Sequence, residues 1–136
     1  MLRNTDETHI RTLVENWAKA ARGKAMEGVL AHHADDMVMF DVPMPLQSRG
    51  MDAYRKTWEL FFANSPGGPG SFELTELQII ASGTVAYCHA ILGVMDTRGR
   101  LTMGLRKEDG RWLIAHEHHS YPMELGTSNQ AEGGRA

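Results

Sequence analysis

The sequence predicts a single α+β domain, in which a cone-shaped, curved antiparallel sheet (an α+β barrel) wraps around about three N-terminal helices and encloses a pocket. Two observations predict this class. Apolar residues recur every three or four positions before Asn64, whereas after Phe72 runs of β-branched and aromatic residues are separated by short turns. Helices segregated from an antiparallel sheet are typical of α+β folds, and a ligand is expected between the two layers. The length of 136 residues suits one domain, predicted over 1–125, with a disordered tail at 126–136.

Three helices are predicted in the first half of the chain. The first covers about Asp6–Arg22, and Asn4 with Glu7 forms a start that resembles a capping box. A shorter helix is predicted over about 24–33, and a third begins after Gly50.

Five strands are predicted, most of them joined by tight turns. Asp109-Gly110 is a dipeptide typical of a two-residue hairpin, and Asp96–Gly99 predicts a second turn. The loop Asn64–Ser71 is rich in glycine and proline. The strands are predicted at 37–41, 72–81, 84–95, 101–107 and 111–121.

Composition narrows the classes of function. The net charge of −3 argues against a nucleic-acid partner, and no apolar run approaches the roughly 20 residues of a membrane helix. The single cysteine, Cys88, cannot form an internal disulfide, and the polar start lacks the apolar stretch of a secretory signal, so we expect a cytoplasmic protein. Motifs for a nucleophilic serine, a zinc site or a phosphate loop are absent from the sequence, and we expect neither a cofactor nor a metal.

Several segments carry a resemblance to known families. They are His33-Ala-Asp-Asp36 with Phe40-Asp41 and Arg49-Gly50, Gly50-Met-Asp-Ala-Tyr-Arg55 with Asn64-Ser65, and Asp109-Gly-Arg-Trp112 with His116-Glu-His118-His-Ser120. The first group resembles the segment of bacterial ketosteroid isomerases that carries their catalytic aspartate. The other two resemble the third helix and last strand of the association domain of calcium/calmodulin-dependent kinase II. Their order over about 10–122 is similar to the nuclear transport factor 2-like superfamily, with its SnoaL-like and ketosteroid-isomerase-like domains, and implies a cone with a pocket. Because that fold hosts both enzymes and binding domains, the resemblance leaves the function open.

The resemblance implies a catalytic role for Asp41 and argues against steroid isomerase activity. Asp41 stands where the isomerases keep the carboxylate that moves a proton between carbons, a task helped by a pKa raised in an apolar pocket. Their oxyanion donors are a tyrosine on the first helix and a protonated aspartic acid on a late strand. The matching residues here are Trp17 and Met103, and Met103 can donate nothing. Base chemistry at Asp41 therefore remains, without the isomerase oxyanion hole.

Strand alternation divides the last strand into two faces. One set is Trp112, Ile114, His116, His118 and Ser120, and the other is Leu113, Ala115, Glu117, His119 and Tyr121. The resemblance implies that the second set faces the pocket, together with Met103 and His89. His116 and His118 could bind a metal from one strand, but the sequence spacing supplies no third ligand. We prefer to place these two histidines on the outer face of the sheet.

These placements define the candidate site. Asp41, His119 and Glu117 are the candidate catalytic residues, because a histidine beside carboxylates can shuttle protons. The alternative is an ordinary buried network in which acids satisfy histidines. The candidate substrate-binding residues are Trp17, Tyr54, Trp58, His89 and Met103.

Two functions follow from this site. The first is an enzyme that needs no cofactor and acts on a small apolar carbonyl or polycyclic substrate by isomerisation, dehydration or cyclisation, with Asp41 as base, His119 or His89 as acid and Glu117 orienting the histidine. The alternative is a non-catalytic domain, for ligand binding or oligomerisation, whose pocket binds a small acid through His89 and His119. In either case we expect a homodimer, because Trp112 and Ile114 on an outer face would need cover.

Overall fold

The computed structural model describes residues 2–125, with side chains from Thr5 onward. The predicted disordered tail lies outside the described residues. These described residues form three helices and six strands, and the predicted α+β class is confirmed. The elements are α1 (Leu2–Arg22), α2 (Met26–Leu30), β1 (His33–Phe40), β2 (Ser48–Arg49), α3 (Gly50–Asn64), β3 (Glu73–Ser82), β4 (Val85–Val94), β5 (Thr97–Glu108) and β6 (Arg111–Ser120).

The first two helices differ from their predicted bounds. Helix α1 begins at Leu2 and not near Asp6, so the backbone of Asn4 already lies within the helix. Helix α2 ends at Leu30. It is shorter than predicted because His32 adopts a positive φ of 59° and β1 begins at the next residue. The short second helix therefore turns the chain from α1 into the sheet.

The sheet is open and mixed, with the strand order β2-β1-β6-β5-β4-β3. The pairs β3–β4, β4–β5 and β5–β6 are antiparallel, as predicted, and so is β1–β2, whereas β1 runs parallel to β6. The strand β2 was not predicted, and the strands do not close into a barrel. The parallel pair places the end of β1 beside the end of β6, with Met39 opposite Glu117. This adjacency brings the residue after β1, Asp41, close to the last inward residue of β6, His119.

The tight turns test the hairpin predictions. Asp109 and Gly110 have φ values of 52° and 77°, as expected for a two-residue turn with both central residues in the left-handed region, and they join β5 to β6. The predicted turn at Asp96–Gly99 is wrong. Residues 95–96 make the turn, and Thr97 already pairs with Val94 across the hairpin.

A β-bulge in β6 decides which side chains face inward. Gly104 pairs with His116 but Leu105 pairs with Ile114, so Ala115 has no partner on β5. An extra residue in one strand resets the alternation of faces. Ile114 is therefore buried on the same side as Glu117, and the predicted placement of Trp112 and Ile114 on the outer face is wrong.

Trp112 and Ile114 therefore give no reason to expect a homodimer. Trp112 and Ile114 are buried within the chain and need no cover from a second copy. The outer face of the sheet instead exposes Ile80, Val85 and Tyr87. A homodimer stays a prediction.

The core lies between the concave face of the sheet and helices α1 and α3. Trp17 from α1, Trp58 from α3 and Phe72 before β3 meet with ring centroids 5.2–5.8 Å apart. Aromatic pairs at these separations add about 0.5–1.5 kcal/mol beyond the burial of their area. This cluster forms an aromatic floor at one end of the concave space. None of the helices in the described part of the chain is long and apolar enough to cross a membrane.

Candidate active site

A cavity of about 360 Å³ opens beside this aromatic floor. Its walls come from α3, from the end of β1 with the loop that follows, and from the ends of β4 and β6. Most of the lining is apolar, and it contains one carboxylate, Asp41, and one imidazole, His119. The lining residues are Met39, Asp41, Val42, Pro43, Thr57, Trp58, Leu60, Phe61, Asn64, Phe72, Leu92, Val94, His119, Ser120 and Tyr121. This combination is typical of a site for a small apolar molecule with one polar group.

Glu117 lies behind the cavity wall and is completely buried. Its Oε2 accepts hydrogen bonds from the Tyr54 hydroxyl at 2.5 Å and from His33 Nε2–H at 2.7 Å. Its Oε1 accepts a hydrogen bond from His119 Nε2–H at 3.0 Å. Three donors on one carboxylate are the compensation that a buried charge requires.

His119 connects this buried network to the cavity. Its Nε2–H is bound to Glu117, and its Nδ1 lies 3.7 Å from Asp41 Oδ1. The ring also packs against Trp17, with a centroid distance of 6.2 Å. Glu117 and Trp17 therefore fix the orientation of the imidazole ring, and Nδ1 is the nitrogen next to the cavity.

The charge states follow from these contacts. Burial opposes ionisation of Glu117, but the hydrogen bonds from His119 and His33 and their charges outweigh it and lower the pKa to about 2. Burial also disfavours the charged form of His119, yet the hydrogen bond and charge of Glu117, followed by the charge of Asp41, raise its pKa above 6.5. Glu117 is thus a carboxylate near neutral pH, where His119 can both hold and release a proton.

Asp41 supplies the second carboxylate at the cavity. It follows β1, and its Oδ1 accepts a hydrogen bond from Val42 N–H at 2.8 Å, a local turn contact of the kind expected before a proline-rich loop. Its side chain is 25% exposed, so it reaches both solvent and cavity. The three predicted catalytic residues, Asp41, Glu117 and His119, therefore lie together.

The predicted substrate-binding residues divide into three groups. Trp58 lines the cavity. Trp17, Tyr54 and Met103 do not, because they are buried in the core beneath it. His89 is the clearest error. It is exposed on the outer face opposite Thr102, because its neighbours in β4, among them Cys88, occupy the inward positions.

Tyr54 and His33 have roles that the sequence interpretation missed. The Tyr54 hydroxyl accepts Trp17 Nε1–H at 3.0 Å while donating to Glu117. Burial is the main cause that raises the pKa of Tyr54 well above its usual value. The charge of Glu117 and the hydrogen bond to it raise this pKa further, and the N–H groups of Trp58 and Trp17 lower it by less. The Trp58 indole N–H is buried and has no hydrogen-bond partner among the described residues.

His33 contacts Glu117 across 84 positions of sequence, so no local pattern could have paired them. A signal was nevertheless available. His33 opens the segment that resembles the isomerases, and a histidine at the start of a buried strand needs a polar partner.

The outer face carries the other histidine pair, as predicted. His116 Nδ1–H donates to the Val38 carbonyl at 2.7 Å, and the Phe40 ring packs against His116 and His118. Among residues 2–125, no group of three or more potential ligands is arranged to hold a metal ion.

Comparison with known proteins identifies the family. The profile of the SnoaL-like domain matches residues 10–124. The chain belongs to the SnoaL-like family. A crystal structure of an NTF2-like protein of unknown function from Pseudomonas putida KT2440 is 36% identical, with a TM-score of 0.82, over 91% of this chain and 92% of that one. The family membership accounts for the helix order and the curved sheet described above.

More distant structures share the fold of this SnoaL-like protein. A protein of Novosphingobium aromaticivorans provisionally named an aromatic ring hydroxylase is 20% identical, with a TM-score of 0.74, over 90% of this chain and 92% of that one. Another from the same organism, provisionally named a scytalone dehydratase, is 18% identical, with a TM-score of 0.73, over 88% and 85%. No functionally curated protein gave a significant match. At these identities the structures establish the fold alone.

Proposed function

We propose that this SnoaL-like protein is an acid–base enzyme that eliminates water from a small, neutral, largely apolar hydroxycarbonyl compound without a cofactor. The observation that carries the proposal is the pair formed by Asp41 Oδ1 and His119 Nδ1, 3.7 Å apart in a mostly apolar cavity. Elimination of water needs one group to take a proton from carbon and one to give a proton to the departing oxygen.

The proposed step uses one residue for each transfer. The Asp41 carboxylate removes a proton from the carbon next to the carbonyl, and the electron pair of that C–H bond is held as an enolate before it forms the new C=C bond. The C–O bond on the next carbon breaks, and the departing hydroxyl takes the proton from His119 Nδ1–H and leaves as water. Asp41 ends protonated and His119 neutral, so transfer of that proton back to Nδ1, directly or through solvent, restores the starting state.

The apolar lining supports a neutral substrate. Trp58, Phe61 and Phe72 offer aromatic surface, whereas the described lining carries no lysine or arginine that could balance a substrate carboxylate. The volume of about 360 Å³ lies at the lower end of the roughly 300–1,000 Å³ of small-molecule sites. These features favour a compact molecule of one or two rings.

Two other functions are less well supported. Isomerisation by the ketosteroid route needs two oxyanion donors, but Trp17 N–H is already bonded to Tyr54 and Met103 carries no donor. His89 and His119 were predicted to bind a small acid together, but His89 lies on the face of the sheet opposite the cavity. Asp41, beside His119, would also repel an anionic ligand.

The test separates the two proton transfers. Neutral β-hydroxy ketones of one or two rings would be screened for formation of a conjugated enone by ultraviolet absorbance. In D₂O, Asp41→Asn should lose both the elimination and the exchange of the α-hydrogen for deuterium. His119→Gln should lose the elimination but keep the exchange. His89→Gln, an exposed histidine on the outer face, is the matched control and should behave as wild type. Elimination at the wild-type rate in Asp41→Asn would refute the proposed role of this carboxylate.

A further inference from the structure

His33 has two hydrogen-bonding contacts, and both are to oxygen atoms. Its side chain is completely buried. Nδ1 lies 2.8 Å from the carbonyl oxygen of Ala31, and Nε2 lies 2.7 Å from Glu117 Oε2. Its ring also lies 4.5 Å from the Tyr54 ring, measured between centroids. The ionisable side chains in contact with His33 in the described region are therefore Glu117 from β6 and Tyr54 from α3.

The two contacts fix where the protons of His33 must be. A backbone carbonyl can only accept a hydrogen bond, so Nδ1 must carry a proton. An ionised Glu117 can also only accept, so Nε2 must carry a proton as well. With both nitrogens protonated, His33 is an imidazolium cation next to a buried carboxylate.

The other partners of Glu117 favour the ionised carboxylate. The Tyr54 hydroxyl already accepts Trp17 N–H, so its own hydrogen points to Glu117 Oε2. His119 approaches Oε1 on the other side. Burial opposes ionisation, but a carboxylate can accept from all three donors, and the hydrogen bonds and charges of His119 and His33 lower the pKa of Glu117 to about 2.

We infer that His33 is a positioning residue: as a buried imidazolium it keeps Glu117 ionised, so that Glu117 holds His119 by Nε2–H and leaves Nδ1 facing the cavity. Tyr54 supports the same carboxylate oxygen. This inference rests on the proposed function for its catalytic meaning, since His119 Nδ1 is the proposed proton donor. The protonation pattern itself depends only on the fold.

Removal of the His33 charge should change His119, although the two histidines do not touch. In His33→Gln, Glu117 keeps the donors from Tyr54 and His119 but loses a neighbouring positive charge. Its negative charge then acts more strongly on His119, whose pKa should rise by roughly 0.5–1 unit. A His33 that was neutral and served only to fill space would leave that pKa unchanged.

Nitrogen NMR of histidine-labelled protein tests the inference without a substrate. At pH 7.5, both nitrogens of one buried histidine in the wild type should be protonated, and its signals should vanish in His33→Gln. His119, assigned with His119→Gln, should keep Nε2 protonated throughout while Nδ1 titrates. The titration should move to higher pH in His33→Gln and stay in place in the control His89→Gln.

Each outcome is decisive. An unprotonated His33 nitrogen at pH 7.5, or a His119 that titrates on Nε2, would overturn the inference. If His33→Gln does not fold, the wild-type spectrum still decides the protonation of both rings. A correct protonation pattern with no turnover would sink the proposed function and leave the positioning role intact. Turnover with a different protonation pattern would exclude the positioning role and leave the proposed function intact.

Discussion

His119 Nδ1 lies 3.7 Å from Asp41 Oδ1, whereas Nε2 of the same ring is bonded to the buried Glu117. One imidazole therefore faces two carboxylates that differ in burial: Glu117 is fully enclosed, and Asp41 is 25% exposed. The enclosed carboxylate can orient the ring, and the exposed one can reach a ligand. The proposed catalysis depends on this division of roles between Glu117 and Asp41.

Replacement of Asp41 by asparagine should lower the pKa of His119. The charge of Asp41 is one of the effects that raise this pKa, although the effect of Glu117 is larger. Titration of His119 by NMR in Asp41→Asn should show a downward shift of a few tenths of a unit to about one unit. Asp36→Asn is the matched control, because Asp36 is an exposed carboxylate paired with Arg106, and it should leave His119 unchanged. An unchanged titration in Asp41→Asn would mean that the two groups do not interact.

Replacement of Glu117 by glutamine should destabilise the protein near neutral pH. The change leaves the buried His33 without its counter-ion, and loss of one partner of a buried pair costs about 3–5 kcal/mol. Urea unfolding at pH 7 measures this cost.

The same variant has a defined pH dependence. The folded-state pKa of Glu117, about 2, lies below its ordinary value of 4.5. Its ionisation therefore stabilises the fold fully above about pH 4.5, and this contribution is lost as the pH falls toward 2. The difference in unfolding free energy between wild type and Glu117→Gln should shrink across that range. A difference that stays constant from pH 7 to pH 2.5 would contradict the assignment.

Replacement of Tyr54 by phenylalanine removes a hydroxyl that both accepts and donates. Glu117 loses a 2.5 Å hydrogen bond and Trp17 Nε1–H loses its acceptor. Hydrogen bonds to charged groups contribute about 1.5–3 kcal/mol, so the free energy of unfolding should fall by about that amount. Tyr87→Phe on the outer face is the control and should change it by less than about 0.5 kcal/mol. Equal effects of the two substitutions would show that the Tyr54 hydroxyl does not support the network.

Cys88 should not react in the folded protein. Burial is the main cause that raises the pKa of its thiol to about 12, and the side chain lies inside the core. A thiol reagent at pH 8 should label the chain only at the rate of unfolding, with full labelling in denaturant. Rapid labelling of the native protein would place Cys88 outside the core.

The sequence predicted those features of the fold that local chemistry decides. Asp109-Gly110 forms its hairpin because the turn depends on the conformations of those two residues alone. The bulge at Ala115 was not predictable in this way, since it arises from pairing with β5 and leaves no mark in the alternation of β6 itself. Because of the bulge, Trp112 and Ile114 face the core, so they provide no apolar outer surface for a dimer contact.

The site shows the same contrast. Asp41, Glu117 and His119 were predicted together, and the structure places them together because β1 and β6 are neighbours. His89 was placed in the pocket by resemblance, whereas its own strand alternation puts it on the outer face. His33 was not identified as a site residue, because its contact with Glu117 exists only once the parallel pair of strands has formed.

The most direct test of the account is the kcat/KM of Asp41→Asn on a substrate that the wild type dehydrates, with His89→Gln measured beside it. General base catalysis contributes about 10²–10⁴-fold, so Asp41→Asn should lose at least about 100-fold while its unfolding free energy changes by less than roughly 0.5 kcal/mol. His89→Gln should keep the wild-type value. A folded Asp41→Asn protein within about threefold of the wild type would contradict the central claim that Asp41 is the base of this site.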